Sequence, residues 1–205
     1  LKYANMAEVQ VCEGALVSLA NPINIFALTT GILLILSDAP FVTDRSVTMI
    51  YRISRKIWGY AMCVYIVGQT VIYYGLAFLI SLLLMGKNGY VGSVWSRVMI
   101  RSVTTGSATA YKYGFSPMSQ DILELFSPIK AYIYSYLLLC LSSIFFGILL
   151  FVLNLKFRQM IGYLVIIVLQ FIGLSICRGY LLWIPVQIVP LPLSSLGIIA
   201  SAGIP

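Results

Sequence analysis

DAPFVTDRSVTMIYRISRKIW, residues Asp38–Trp58, is a short charged stretch held between two long apolar runs, Ala15–Leu36 and Ile57–Met85. Each run is long enough to cross about 30 Å of hydrocarbon as an α-helix. The stretch between them carries Arg45, Arg52, Arg55 and Lys56. Each such charge costs roughly 2.5–3.5 kcal/mol at a bilayer centre, so the stretch belongs in water or among headgroups while its flanks cross the membrane. A two-span hairpin with a basic tip is the unit from which the rest of the chain is read.

Composition agrees with that unit. Sixty per cent of the 205 residues are apolar, 9% are charged and the mean hydropathy is +0.98. A soluble domain covers its surface with roughly a quarter charged residues. This chain has too few, and its expected class is an all-α, polytopic transmembrane helical bundle forming a single domain over residues 1–205. The net charge of +7 does not point to nucleic acid, because Lys and Arg are spread over the loops as topology signals and contacts with anionic lipid. Cys12, Cys63, Cys140 and Cys177 lie in or beside apolar runs without CxxC spacing and read as free, packed thiols. Histidine is absent, which removes the commonest metal ligand and general base. The chain opens without Met and stops at Pro205 after an apolar segment; it is expected to be an excerpt of a longer protein with flanking spans.

Four spans are expected, at 15–36, 57–85, 131–155 and 160–177. Residues 1–14, with Glu8 and Glu13, read as a water-exposed approach to the first. Pro40 disfavours helix in the residue before it and ends that span near Ser37. Beyond the break, Thr43 or Asp44 can cap a short helix running to Trp58, with Val47, Ile50 and Tyr51 on one face and the basic residues on the rest. This segment reads either as a solvated topology loop or as a helix that docks on a soluble partner. Trp58 suits an interface anchor, and the inner tyrosines of 57–85 suit packing and interhelical hydrogen bonds.

Residues 86–130 are the one sizeable polar insertion. Val94, Trp95, Val98, Met99 and Val103 recur there at helical spacing with Arg97 and Arg101 set apart, a pattern that predicts a short amphipathic helix on the membrane surface. Ser119–Phe126 predicts a second short helix capped by Ser119 and closed by Pro128. A tight turn at Asn154–Gln159, with Lys156 and Arg158, separates the last two spans, and Gly147, Gly162 and Gly173 permit close helix approach. Tyr180–Pro205 is apolar but broken by Pro185, Pro190, Pro192 and Pro205, which predicts a re-entrant pair of short helices.

Topology follows from charge density. Asp38–Lys56 and Asn154–Gln159 hold six of the 13 Lys and Arg residues; the other seven (Lys2, Lys87, Arg97, Arg101, Lys112, Lys130, Arg178) are spread over far more chain. The two short loops are therefore expected inside, with 86–130 outside. The expected span interiors contain no Asp, Glu, Lys, Arg or His, so neither an intramembrane acid–base centre nor an ion relay is legible. No metal site, GxxxxGK[ST] phosphate loop or other cofactor motif is present in the sequence, and no charged ring or filter-like repeat of a channel is visible.

The segment ILLILSDAPFVTDRSVTMIYRISRKIWGYAMCVYIVGQTVIYY, residues 32–74, resembles membrane subunits of ABC transporters in Gram-positive bacteria. More narrowly it resembles type-2, exporter-like permeases associated with peptide or bacteriocin export and immunity. The resemblance rests on Leu36–Phe41, then Arg52, Ser54, Arg55, Lys56 and Trp58 leading straight into the next span. It implies a six-span permease in a bacterial plasma membrane, of which Ala15–Leu36 is the second span and Tyr180–Pro205 the re-entrant region. It also implies a coupling helix, Asp44–Trp58, that docks on a cytoplasmic ABC ATPase carrying the ATP and Mg, and a second permease copy or similar permease. The implied docking residues are Arg45, Tyr51, Arg52, Arg55 and Lys56, with secondary contacts from Lys156 and Arg158; no catalytic residue or cofactor is expected in this chain. The rival reading is a membrane scaffold or sensor subunit that binds a peptide or partner through its outer loop.

Overall fold

In the computed structural model the described residues are 9–20, 22–37, 54–86, 89–104, 120–157 and 159–177. Most of them are helical. In chain order they form β1 (Val9–Gln10), α1 (Glu13–Ala20), α2 (Pro22–Leu36), α3 (Arg55–Gly86), β2 (Gly89–Tyr90), α4 (Arg97–Thr104), α5 (Gln120–Leu125), α6 (Pro128–Lys156) and α7 (Gln159–Cys177).

Two helices are long and apolar enough to cross a membrane, Lys56–Gly86 and Pro128–Lys156, or three if the bent pair Glu13–Leu19 and Ile23–Leu36 counts as one span. At 1.5 Å rise per residue, the 32 residues of α3 extend about 48 Å, more than the hydrocarbon core, so its ends project from it. The outward faces of α3, α6 and α7 expose Val64, Val71, Leu84, Leu141, Phe145 and Leu164. Apolar surface this continuous is matched by lipid rather than water. The chain is a helical membrane protein.

The described residues divide into two compact units. The first comprises 9–20, 22–25, 75–86, 89–104 and 120–139. In it β1 and β2 pair in parallel, Val9 opposite Gly89 and Gln10 opposite Tyr90; parallel strands need a long crossover, here the chain from α1 through α3. Gly89 allows the close approach, since a Cβ there would sit 2.8 Å from both Val11 Cγ2 and the Val9 carbonyl. The core beneath is Leu16, Trp95, Met99 and Ala131, with Val17, Leu123, Phe126 and Leu138 packed against it. Along α3 and α6, the Phe78 ring meets Tyr132 and Tyr136 edge-on, and the Tyr132 hydroxyl donates to the Phe78 carbonyl at 2.9 Å.

The second unit comprises 26–37, 54–74, 140–157 and 159–177. Ile32, Leu33, Leu36, Ile66, Tyr74, Leu150 and Ile166 are among its fully buried side chains. Tyr74 and Ser143 share a hydrogen bond of 2.7 Å between α3 and α6. Glycines set the helix spacing: a Cβ at Gly147 would lie 2.8 Å from Ile66 Cγ2 and 3.1 Å from Leu36 Cδ1, and one at Gly31 would lie 2.5 Å from the Tyr73 hydroxyl. Phe26 of α2 meets Phe171 of α7 edge-on at 6.5 Å.

Several expectations are corrected. The run 15–36 is not one helix: α1 ends at Ala20 and α2 starts at Pro22. Pro22 lacks the N–H that would continue α1, whereas the first position of a new helix leaves that donor unused. Residues 9–13 are not a water-exposed approach, because Val9, Gln10, Val11 and Glu13 are all buried. Pro128 opens α6 rather than merely closing the helix before it, and α6 continues through Asn154 to Lys156, leaving a shorter turn than expected. α7 runs over the expected 160–177, and within it Ile161–Ile172 counts as a shorter apolar helix. Of the expected coupling helix, Arg55–Trp58 form the first turn of α3 and Ser54 precedes it outside the helix; residues 44–53, like Ser119 and the re-entrant region 180–205, lie outside the described residues.

Candidate functional site

Four helix ends gather in the second unit. α2 stops where the Ser37 amide and hydroxyl both donate to the Leu34 carbonyl, at 3.2 and 2.7 Å, closing the last turn. Asn154, near the end of α6, is buried, and its Nδ2 donates to the Ser37 carbonyl at 3.2 Å. A buried amide in apolar surroundings is costly unless paired, and the carbonyls at a helix C-terminus are the acceptors that need a donor. Gly162, in the first turns of α7, leaves room for Asn154: a Cβ there would collide with Asn154 Oδ1.

The start of α3 joins the same end. The Trp58 amide donates to the Ser54 carbonyl at 3.2 Å, so the helical turn is already closed there. The Trp58 ring lies 5.7 Å from that of Phe151 on α6, tilted by 49°. Trp58 is thus half-buried against a neighbouring helix as well as standing at the end of a span. Lys56 is exposed beside it. At the end of α6, Lys156 is also exposed, its Nζ 5.8 Å from the Phe157 ring centroid, a cation–π distance.

The structure therefore brings Lys56 and Lys156, from the two short basic segments, to the same end of the second unit. Arg55 is in the first turn of α3. Arg45, Tyr51, Arg52 and Arg158 lie outside the described residues. The residues that hold the helix ends together, Ser37, Asn154, Phe151 and Gly162, were not singled out as one group by sequence reasoning. Asn154 had a visible signal, a lone carboxamide closing an apolar run, but only the fold shows its partner.

A second polar cluster sits in the first unit. Glu13 is 2% exposed and opens α1. Its carboxylate accepts from the Ser96 amide at 2.7 Å, the Ser96 hydroxyl at 2.6 Å and the Gln10 amide at 3.4 Å. Ser96 Oγ also accepts from the Met99 amide at 3.2 Å, capping α4. Gln10 is 1% exposed, and its Nε2 donates to the Gly92 carbonyl at 2.6 Å. Trp95 Nε1 donates to the Phe126 carbonyl at 2.8 Å. Glu13 precedes the apolar run from Ala15, and burial raises its carboxyl above the ordinary carboxylate value while the bonds from Ser96 and Gln10 pull it down. Burial, with the Glu13 charge, also pushes the Cys12 thiol up.

These bonds fasten chain segments together: among the described residues Glu13 accepts from Ser96 and Gln10. The Tyr74–Ser143 pair likewise joins two helices. Among the described residues no group of three or more Cys, Asp or Glu gathers as a metal site. Compared with protein-family models, curated proteins and solved structures, the chain matches none.

Proposed function

We propose that this chain is the transmembrane permease subunit of an ABC transporter in a bacterial plasma membrane, exporting a peptide or an amphipathic, lipid-like substrate. A separate cytoplasmic ATPase, docked on Asp44–Trp58, supplies the energy. In this reading the broken α1–α2 pair, α3, α6 and α7 are four of six spans, residues 180–205 are re-entrant, and a second permease completes the path.

One observation carries the reading. Arg55 and Lys56 belong to the first turn of the same uninterrupted helix that crosses the membrane. A helix is stiff along its axis, so force applied at the basic tip reaches the span directly. The Trp58–Phe151 contact and the Asn154–Ser37 bond pass the displacement on to α6 and α2. Arg52 and Arg55 are of the type that pairs with partner carboxylates through paired hydrogen bonds.

The test is affinity purification of the protein from its native host in mild detergent, with crosslinking from cysteines placed at positions 51–56. A stoichiometric ATPase bearing a phosphate-loop motif, lost in an Arg52→Glu/Arg55→Glu variant together with transport, is the expected result. If no ATPase is captured, or if that variant keeps both association and transport, the docking reading fails and a scaffold or sensor role replaces it.

A further inference from the structure

The notable feature of α4 is which of its faces is already occupied. Trp95, Val98 and Met99 are buried, with Trp95 and Met99 in the core beside Leu16 and Ala131. The apolar stripe that predicted a surface-lying helix is therefore packed on protein. The opposite face carries Arg97, Ile100 and Arg101, at the i, i+3 and i+4 spacing of one helix face, and all three are exposed. Val91 and Val94, in the segment between β2 and α4, are 84% and 66% exposed.

The position of this layer is fixed by its contacts. Gly14 in α1 abuts Met85, the penultimate residue of α3, and Ala131, the fourth residue of α6, lies in the core with Trp95 and Met99. The layer thus sits where the two long apolar helices end. Its charge has one sign in excess: residues 86–130 hold five basic residues (Lys87, Arg97, Arg101, Lys112, Lys130) and two acidic ones (Asp121, Glu124). Glu124 and Lys130 are exposed, and the Glu13 carboxylate is turned inward and spent on Ser96 and Gln10.

We propose that Val91, Val94, Arg97 and Ile100 form an interfacial seat for anionic lipid of the surrounding membrane. Val91, Val94 and Ile100 enter the boundary between headgroups and acyl chains, and Arg97 holds a lipid phosphate. Exposed valines beside an arginine at the end of a span match that boundary, where apolar side chains and cations are both favoured. The seat does not depend on an ATPase docking at the other segments, and its test is independent of that one.

The test uses the full chain in nanodiscs of phosphatidylcholine, with and without phosphatidylglycerol. Amide exchange over residues 91–101 is expected to slow about fivefold when phosphatidylglycerol is present, the effect of one cation at an anionic surface. Arg97→Glu is expected to remove that slowing and Arg97→Lys to keep it, with exchange in α3 and α6 unchanged. A fluorophore on Val94→Cys, in a chain whose other cysteines are Ala, is expected to be quenched by lipids brominated high on the acyl chain. Equal exchange in both lipids, slowing that survives Arg97→Glu, or an unquenched fluorophore in water would each overturn the proposal. The last result would point to a soluble partner on this face instead.

Discussion

Asn154 Nδ2 donates to the Ser37 carbonyl at 3.2 Å, joining the end of α6 to the end of α2 across 117 positions of sequence. Both groups lie where helices stop, and a helix end deprived of water needs such a partner. The bond therefore fixes which two helix ends meet. Around it stand Trp58 on Phe151, Gly162 beneath the carboxamide, and the exposed Lys56 and Lys156.

Replacing Asn154 by Leu keeps the number of side-chain heavy atoms and removes the donor. The Ser37 carbonyl then loses this bond, which typically costs about 1–3 kcal/mol for a buried polar group. Thermal unfolding in detergent should show a lowered Tm, and cysteine pairs between the ends of α2 and α6 should crosslink less. An unchanged Tm would mean that the bond contributes nothing.

Tyr74 and Ser143 pair at 2.7 Å with both side chains buried. A double-mutant cycle of Tyr74→Phe and Ser143→Ala should return a coupling of about 0.6 kcal/mol, and no more than about 1.7, the range found for interhelical hydrogen bonds in membranes. Additive single-mutant effects would show that the hydroxyls find equivalent partners when separated.

Gly147 meets Ile66 and Leu36, both fully buried, with no space left for a side chain. Gly147→Leu should destabilise the helix packing by about 1–3 kcal/mol through overpacking, whereas the same change at Gly68, which has nothing within 4 Å, should leave the melt in place. Equal effects at the two sites would contradict the packing described.

Glu13 gives a pH dependence with a definite sign. Its carboxyl is raised by burial, against hydrogen bonds from Ser96 and Gln10. The folded chain then holds this proton more tightly than the unfolded chain. The contribution of Glu13 is greatest below the ordinary carboxylate value and declines as pH rises through the raised one. Glu13→Gln should flatten that part of the stability profile, read by thermal unfolding at a series of pH values.

Much was legible from the chain because hydrophobicity and length are local properties. The spans 57–85 and 131–155 reappear as α3 and α6, and Val98 and Met99 were correctly set on one apolar face with Arg97 and Arg101 apart. Periodicity shows which residues share a face but not what covers it. For α4 the cover is Leu16 and Ala131, distant in sequence. Glu13 was unreadable for the same reason: a carboxylate near a terminus resembles a solvated charge until Ser96, 83 residues away, is brought to it.

What the sequence by itself determined is the apolar character of this protein and the positions of its two longest apolar helices. Sixty per cent apolar residues with 9% charged can be stable only in hydrocarbon, and charged stretches such as Asp38–Trp58 must lie at its borders. What only the tertiary structure decided is which helix ends meet and which polar groups are spent on holding them. Those pairings, Asn154 with Ser37, Tyr74 with Ser143 and Glu13 with Ser96, depend on helix spacing set by glycines and on burial. Both are properties of several segments together, with no local signature in any one of them.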